Sequence, residues 1–452
     1  MTRITARRLA AVCSFVVALV VFAGGATLGA QEVTVIRASR LIDGSGSPPV
    51  DEAWVVVTGS RITAIGRAGA AAAPAGAKVI DLAGYTLLPG LIDCHDHITG
   101  MPGDGGDTAE LKETEAHKAI YGAVNARTTL EAGFTTVRDV GSGGYAGVAL
   151  RDLINKGVIP GPRLFVATRG LGITGGHGDI NGWSPELSLP GVTEIADGVD
   201  DVRKAVRRQV KFGADFIKVV ASGGVLSSGD SPSAVQYSFD ELKAIVDEAH
   251  HSGRKVAAHA HGAASIRDAA NAGVASIEHG SLVDDEGIAA MKAHGTFMVP
   301  TLYTLDFIVD EGARHGVPEY GIVKARAMRK AQRENLRRAY AAGVRFAYGT
   351  DAAVFPHGRN ARDFGILVDE LGVPPAEAIK MATANAAELL GMADQLGMVK
   401  TGLLADLIAV EGNPLDDIRR LESVAFVMKD GVVYKARAAR AEATAQAART
   451  PR

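Results

Sequence analysis

The chain has 452 residues, 47% of them hydrophobic and 22% charged, and its formal net charge is −3. That composition allows a large globular core, and the absence of a polybasic tract argues against nucleic acid as a partner. Only two cysteines occur, Cys13 and Cys94, so no internal disulfide framework is available if the first is removed with a leader.

Residues 1–30 have the layout of such a leader. "MTRITARR" is basic, "LAAVCSFVVALVVFAGGA" is apolar, and "TLGAQE" follows with small residues. This is the pattern of a secretory signal peptide. Cleavage after Ala26 or Ala30 fits, although Leu28 is a poor residue so close to the second cut. An uncleaved anchor is the alternative, but the apolar part is short for a membrane span. Cys13 follows Val12 rather than a small residue, which is not a lipoprotein site. The expectation is therefore an exported protein, periplasmic or secreted, with no membrane attachment after cleavage. At the other end, the Ala/Arg-rich residues 436–452 lack a clear apolar face and read as a disordered tail.

Short β segments come next: "VTVIRASRLIDG", "AWVVVTGSRITAIG" and "KVIDLAGYTLLPG". Their Val/Ile runs and Gly turns predict a small β domain. From Leu91 the texture changes to strands alternating with helix-length segments. Strand ends are read at His95–His97, "FTTVRDVG", "RLFVAT", "DFIKVVASGG", "KVAAHAHG", "ASIEHG", "TFMVPTL" and "VRFAYGTDA". Amphipathic stretches such as "DGVDDVRKAVRRQVKFG" and "SFDELKAIVDEAHHSG" separate them. The expectation is an α/β chain with a (β/α)8 (TIM) barrel over residues 89–394. After it, "GMVKTGLLADLIAVEGNPLDDI" and "VAFVMKDGVVYK" return to β texture. Residues 395–435 should join residues 31–88 in a small β-sandwich domain. Two long loops, 168–196 and 221–237, are of the kind that tends to carry function.

Active sites of such barrels lie at the C-terminal ends of the strands. Alternation along a strand points His95 and His97 the same way. Further ends contribute His259 and His261, His279, and Asp351, while "DFIKVVAS" sets Lys218 in an apolar strand. Each residue alone has an ordinary explanation: a hydrogen-bonded core histidine, or a helix cap for Asp351. Together, at five strand ends, they point to metal. Burial drives a lysine towards its neutral form, and a neutral amine can take up carbon dioxide to give a carbamate able to bridge two cations. A Schiff-base lysine or an ion pair with Asp351 are the alternatives. Two divalent ions then divide the ligands: His95, His97 and Asp351 on one, His259 and His279 on the other, Lys218 between them. Spacing alone leaves His261 as an alternative to His259. Imidazole and carboxylate suit zinc, with manganese, cobalt or iron also possible. A hydroxide held between the ions, formed because metal lowers the pKa of water to about 7, would be the nucleophile. Asp351 would act as general base and acid.

The motifs "LLPGLIDCHDHI", "GFTTVRDVG", "TGGHGD", "DFIKVVASGG", "AAHAHG", "SIEHG", "GTDA" and "TGLLADLIAVEGNPLDDI" resemble the amidohydrolase superfamily. Within it they resemble the branch of Xaa-Pro dipeptidase and ochratoxinase-like metal-dependent amidohydrolases, from about residue 32 to 435. The resemblance implies that His95, His97, carboxylated Lys218, His259, His279 and Asp351 are the metal ligands. His261 would then polarise the substrate carbonyl or hold its carboxylate. It also implies homo-oligomeric assembly and a small amide or dipeptide substrate, often with a free carboxylate. Candidate contacts for that group are His177, Tyr237, His261, Tyr303 and His357. Arg138 and Asp139 read instead as a structural ion pair. Two competing readings remain: a mononuclear cyclic-amidine hydrolase or deaminase, which needs no bridging carbamate, and a non-catalytic protein with a relic metal site.

Overall fold

The computed structural model describes residues 32–67, 74, 76–102, 109–142, 144–189 and 191–437. The expected signal peptide and all of the expected tail beyond residue 437 lie outside these. Sixteen strands are described. β1 (Val33–Leu41), β2 (Val50–Thr58), β3 (Arg61–Arg67) and β4 (Lys78–Pro89) open the chain. β5 (Leu91–Asp96), β6 (Phe134–Asp139), β7 (Arg163–Val166), β8 (Leu171–Gly172) and β9 (Glu194–Ile195) follow. Then come β10 (Ile217–Val220), β11 (Val256–Ala260), β12 (Ser276–His279) and β13 (Phe297–Val299). β14 (Leu407–Glu411), β15 (Val424–Lys429) and β16 (Val432–Ala436) close it.

The first and last groups form one seven-stranded sheet in the order β16-β15-β14-β4-β1-β2-β3. In β2 the buried residues Ala53, Val55 and Val57 alternate with more exposed ones, the period-2 pattern of a strand with one covered face. The β15–β16 turn is Asp430-Gly431, with φ +50 and +77, the backbone that a two-residue hairpin turn requires. Both terminal segments contribute strands to it, and it is a single hydrogen-bonded sheet where a β-sandwich of two was expected. The sheet curls: Ala405 N–H donates to Ser60 O at 2.8 Å and Ile62 N–H to Leu403 O at 2.9 Å. The β2–β3 hairpin thereby meets the segment before β14, and Ile36, Val55, Ile62, Leu82, Leu407 and Phe426 share one apolar core.

The central strands are parallel. β5-β6-β7 form one sheet and β13-β12-β11-β10-β8-β9 another. β5, β6, β10, β11 and β12 are buried throughout, as parallel strands covered on both faces are. Helices Glu115–Glu131, Ala146–Asn155, Val199–Lys211, Phe239–His251, Ala263–Ala272 and Asp285–His294 alternate with them. The helix Phe239–His251 starts where "SFDE" indicates: Ser238 and Glu241 cap each other reciprocally.

Two expected strands are interrupted. The third runs as β7 and then β8, broken around Thr168 at φ +63. The eighth, "VRFAYGTDA", pairs only through single bridges of Phe346 to Met298 and of Ala352 to Asp96. Positive φ at Asp351 and Ala353 prevents a longer ladder. Its backbone still spans the gap between the two sheets: Met298 N–H donates to Arg345 O and Cys94 N–H to Tyr348 O, both at 2.8 Å. On the far side, Asp215 N–H donates to Val166 O at 2.8 Å. Arg163 ties the curled sheet to the parallel strands through Asp406 at 2.7 Å and Asp430 at 2.5 Å. Among the described residues no helix is long and apolar enough to cross a membrane.

Candidate metal centre

One cavity of about 420 Å³ is lined by His95, His97, His177, Lys218, His259, His261, His279 and Asp351. The C-terminal ends of the parallel strands bring these residues together. Backbone geometry does part of this. Glu278 and His279 are neighbours, and in a regular strand they would face opposite sides. His279 instead has φ +70. Glu278 Oε2 therefore reaches His95 Nδ1 at 2.7 Å while the His279 ring lies 4.8 Å from the His95 ring. Asp351 has φ +65 and Thr301 φ +45. Non-glycine residues in the left-handed region are costly, and such costs cluster at functional sites.

The donor atoms fall into two triads. His95, His97 and Asp351 form one, His259, His261 and His279 the other, with the ligand atoms of each within 4.8 Å of one another. Asp351 Oδ1 lies 3.3 Å from His95 Nε2 and 3.2 Å from His97 Nε2. The outward ring nitrogens are fixed from behind. His95 Nδ1 donates to Glu278 and His97 Nδ1 to Gly141 O, each at 2.7 Å. His279 Nδ1 meets Thr301 Oγ1 at 2.7 Å, His261 Nδ1 meets Ser281 Oγ at 2.9 Å, and His259 Nε2 donates to Gly223 O at 3.2 Å. Orienting one nitrogen of a ring so that the other faces the site is how metal-binding imidazoles are held.

The electrostatics agree with that use. Burial and the neighbouring His177, His279 and His261 rings hold His259 well below the ordinary histidine range. Burial, together with His261 and His95, does the same to His279. Burial and His177 take His261 down to about 3, and burial takes His177 to about 4. Neutral rings at neutral pH have lone pairs to offer a cation. Burial would raise Asp351, but His95, His97 and His279 keep it well below the carboxylate range.

Lys218 is buried, and burial depresses it to about 8. Among the described residues its ammonium has no hydrogen bond or ion pair. The ion pair with Asp351 considered as an alternative is thus not formed. The charge of Lys218 acts on His97, His177, His259, His261 and His279 alike. The donor chemistry, nitrogen and carboxylate oxygen in two oriented sets, fits two divalent ions.

Of the expected substrate contacts, His177 and His261 line the cavity and three others do not. Tyr237 is fully buried, and its hydroxyl donates to Ala196 O at 3.0 Å. Tyr303 packs its ring 4.9 Å from that of Phe355, and its hydroxyl faces Glu311. His357 lies behind the site, where Nε2 donates to Asp96 Oδ1 at 3.1 Å. These are corrections: the first two are aromatic residues seated in the core, and the third braces the strand that carries His95 and His97. Asn360 completes that brace, donating to Asp93 at 2.8 Å and Asp96 at 3.1 Å. Burial and the adjacent Asp96 push Asp93 up to about 8.

The Arg138–Asp139 ion pair also does not form, because consecutive strand residues face opposite sides. Arg138 reaches Glu278 Oε1 at 2.7 Å, and Asp139 bonds to Ser142 and to Gly141 N–H. Glu278, which binds both Arg138 and His95, escaped the reading of the sequence. Its signal was the glutamate in "SIEHG". The glycines of "ASGGVLSSG" suggest room for backbone turns and substrate approach, and Gly224 is one of them. A Cβ there would sit 2.2 Å from the His177 ring, so glycine is what lets His177 lie against this loop.

Residues 86–435 match the model of the amidohydrolase family, and the chain belongs to that family. It is a hydrolase acting on amide bonds, which sets aside the non-catalytic reading. The chain is 37% identical to ochratoxinase from Aspergillus niger over 431 residues, which are 89% of this chain and 87% of that one. A solved Xaa-Pro dipeptidase with methionine bound in its active site is 39% identical. It aligns with a TM-score of 0.84 over 89% of this chain and 100% of the other. A prolidase complexed with N-methylphosphonate-L-proline is 35% identical, with a TM-score of 0.83 over 89% of this chain and 100% of its own. The chain thus falls in the branch of the superfamily that holds ochratoxinase and Xaa-Pro dipeptidase.

Proposed function

We propose that the protein is a binuclear metal-dependent hydrolase of dipeptides or N-acyl amino acids. One observation carries this: two oriented donor triads share a cavity with a buried lysine whose ammonium makes no hydrogen bond or close ion pair among the described residues. His95, His97 and Asp351 would hold one ion, and His259 and His279 the other. Lys218, carboxylated on its neutral amine, would join them, and zinc suits the set. Two such ions would lower the pKa of water to about 7 and polarise the amide carbonyl.

The residues of the chain do the rest. Asp351 is held ionised, so it can accept the proton of the attacking water and pass it to the leaving nitrogen. His261 is neutral. If Ser281 donates to its Nδ1, the opposite N–H points into the cavity, where it can meet the carbonyl oxygen or a substrate carboxylate. His177, buried with an unpartnered Nδ1, is placed for a similar polar contact. The likeness to ochratoxinase, to a prolidase and to a Xaa-Pro dipeptidase supports an amide substrate carrying an amino acid.

The finer fold belongs to the same proposal: the two parallel sheets and residues 344–352 together make a (β/α)8 barrel. So do homo-oligomeric assembly and export, the latter supported by the basic start and apolar run of residues 1–30. The test is a panel of N-acyl amino acids and of Xaa-Pro, Xaa-Arg and Xaa-Phe dipeptides on metal-loaded protein, with the metal counted. Hydrolysis with two ions per chain supports the proposal. Ammonia release from cyclic amidines with one ion per chain contradicts it.

A further inference from the structure

We propose that the apolar wall of this cavity holds a bulky apolar group of the substrate, aromatic or branched, beside the scissile amide. The preferred substrates are then amides of apolar amino acids. This rests on the hydrolase reading above and adds the substrate's side-chain class to it.

One side of the cavity is lined by Val225 and Leu226 from the 221–237 loop, Leu305 and Ile308 from the helix Leu302–Asp310, and Val317 and Val354. These residues do more than line the space. They belong to one apolar cluster, backed by Ile322, Ala325 and Met328 of the helix Glu319–Ala341. The wall is therefore a packed surface with a core behind it. Among the described residues, the charged lining side chains outside the metal centre, Glu113 and Lys118, come from a different segment, the approach to and first turn of the helix Glu115–Glu131.

The wall is also held in place. Lys324 Nζ donates to Gly224 O at 3.0 Å, Ser227 O at 2.8 Å and Asp230 Oδ1 at 3.0 Å. Asp230 Oδ2 accepts from Gly224 N–H at 3.2 Å, and Tyr320 OH donates to Leu226 O at 3.2 Å. The backbone that presents Val225 and Leu226 is thus tied at both ends to the helix behind it. A preformed apolar wall gains from burying a matching group. A charged side chain placed there loses its water and, among the described residues of this apolar cluster, meets no charged partner.

The test uses full-length, metal-loaded protein and separates binding from turnover. N-acetyl derivatives of Phe, Leu, Gly, Lys and Glu are titrated by calorimetry into Asp351→Asn protein, and kcat/KM is measured on the wild type. The expected result is binding of the Phe and Leu compounds at least about ten-fold tighter than of the Lys and Glu compounds. That difference should narrow in Leu226→Ala and vanish in Leu226→Glu. Val317→Glu gives a second, independent change in the same wall. Unfolding curves and metal content confirm that each variant is folded and loaded. Equal or tighter binding of the charged compounds overturns the assignment, as does a preference that survives both Leu226→Glu and Val317→Glu. If the apolar preference is found but no compound is hydrolysed, the pocket assignment stands and the amide-hydrolase reading falls.

Discussion

His95 Nδ1 donates to Glu278 Oε2 at 2.7 Å, with both side chains closed off from solvent. The same carboxylate accepts from Arg138 at 2.7 Å. Burial would raise Glu278, but Arg138 and His95 together hold it down at about 2. A fixed anion behind His95 sets its tautomer and aims Nε2 at the cavity. Glu278→Gln keeps the volume and removes the charge. It should weaken metal binding about 10–100-fold, measured by titration against a chromophoric chelator. Unchanged affinity would mean that Glu278 only satisfies Arg138.

Lys218→Met should separate stability from function. It removes a buried amine whose depression to about 8 marks an unfavourable site for charge. The metal-free variant should be more stable than the metal-free wild type by on the order of 1–3 kcal/mol. It should also bind fewer than two ions and lose nearly all turnover. Thermal unfolding with and without metal, beside a metal count, reads both effects. A less stable apoprotein would mean that Lys218 has native partners.

The same depression sets a pH dependence. Carboxylation needs the neutral amine. At fixed dissolved carbon dioxide, reactivation of metal-free protein by bicarbonate and zinc should speed up as pH rises towards about 8, then level off. Between about 8 and the ordinary lysine value, the unfolded chain carries a proton at Lys218 that the folded chain lacks. Stability of the metal-free protein from this group therefore rises with pH across that window and gains nothing below it. A flat reactivation profile would argue against carboxylation.

Tyr237→Phe tests the corrected placement of that residue. The hydroxyl donates to Ala196 O in the core and does not line the cavity. Its loss should cost about 0.5–1.5 kcal/mol of stability and leave KM unchanged. A large rise in KM for substrates with a carboxylate would put Tyr237 back at the site.

Much of this centre was legible before the structure, because strand alternation and the common direction of the parallel strands act on residues that the sequence displays directly. His95 and His97 sit two apart, so alternation alone points them to one place. Lys218 stands out because nothing else in "DFIKVVAS" between Asp215 and Ser222 is charged. The failures share a different cause. Arg138 and Asp139 are adjacent in sequence but lie on opposite faces, and the real partner of Arg138 on β6, Glu278, comes from β12, far along the chain. Tyr237, Tyr303 and His357 follow strand ends, yet a position after a strand does not say whether a side chain turns into the cavity or into the packing beside it. The positive φ of His279 and Asp351, which aims both at the site, leaves no mark in residue type, since neither is glycine. The curled seven-stranded sheet was visible as two β-rich segments, whereas its single hydrogen-bonded order depends on β4 pairing with both β1 and β14.

The most direct measurement is a crystal structure of protein produced with zinc and bicarbonate, with the ions located by anomalous scattering. Two ions should be found, one at His95, His97 and Asp351 and one at His259 and His279, with branched density extending Lys218 between them. An unmodified Lys218 turned away from the histidines, with one ion or none bound, would contradict the binuclear centre.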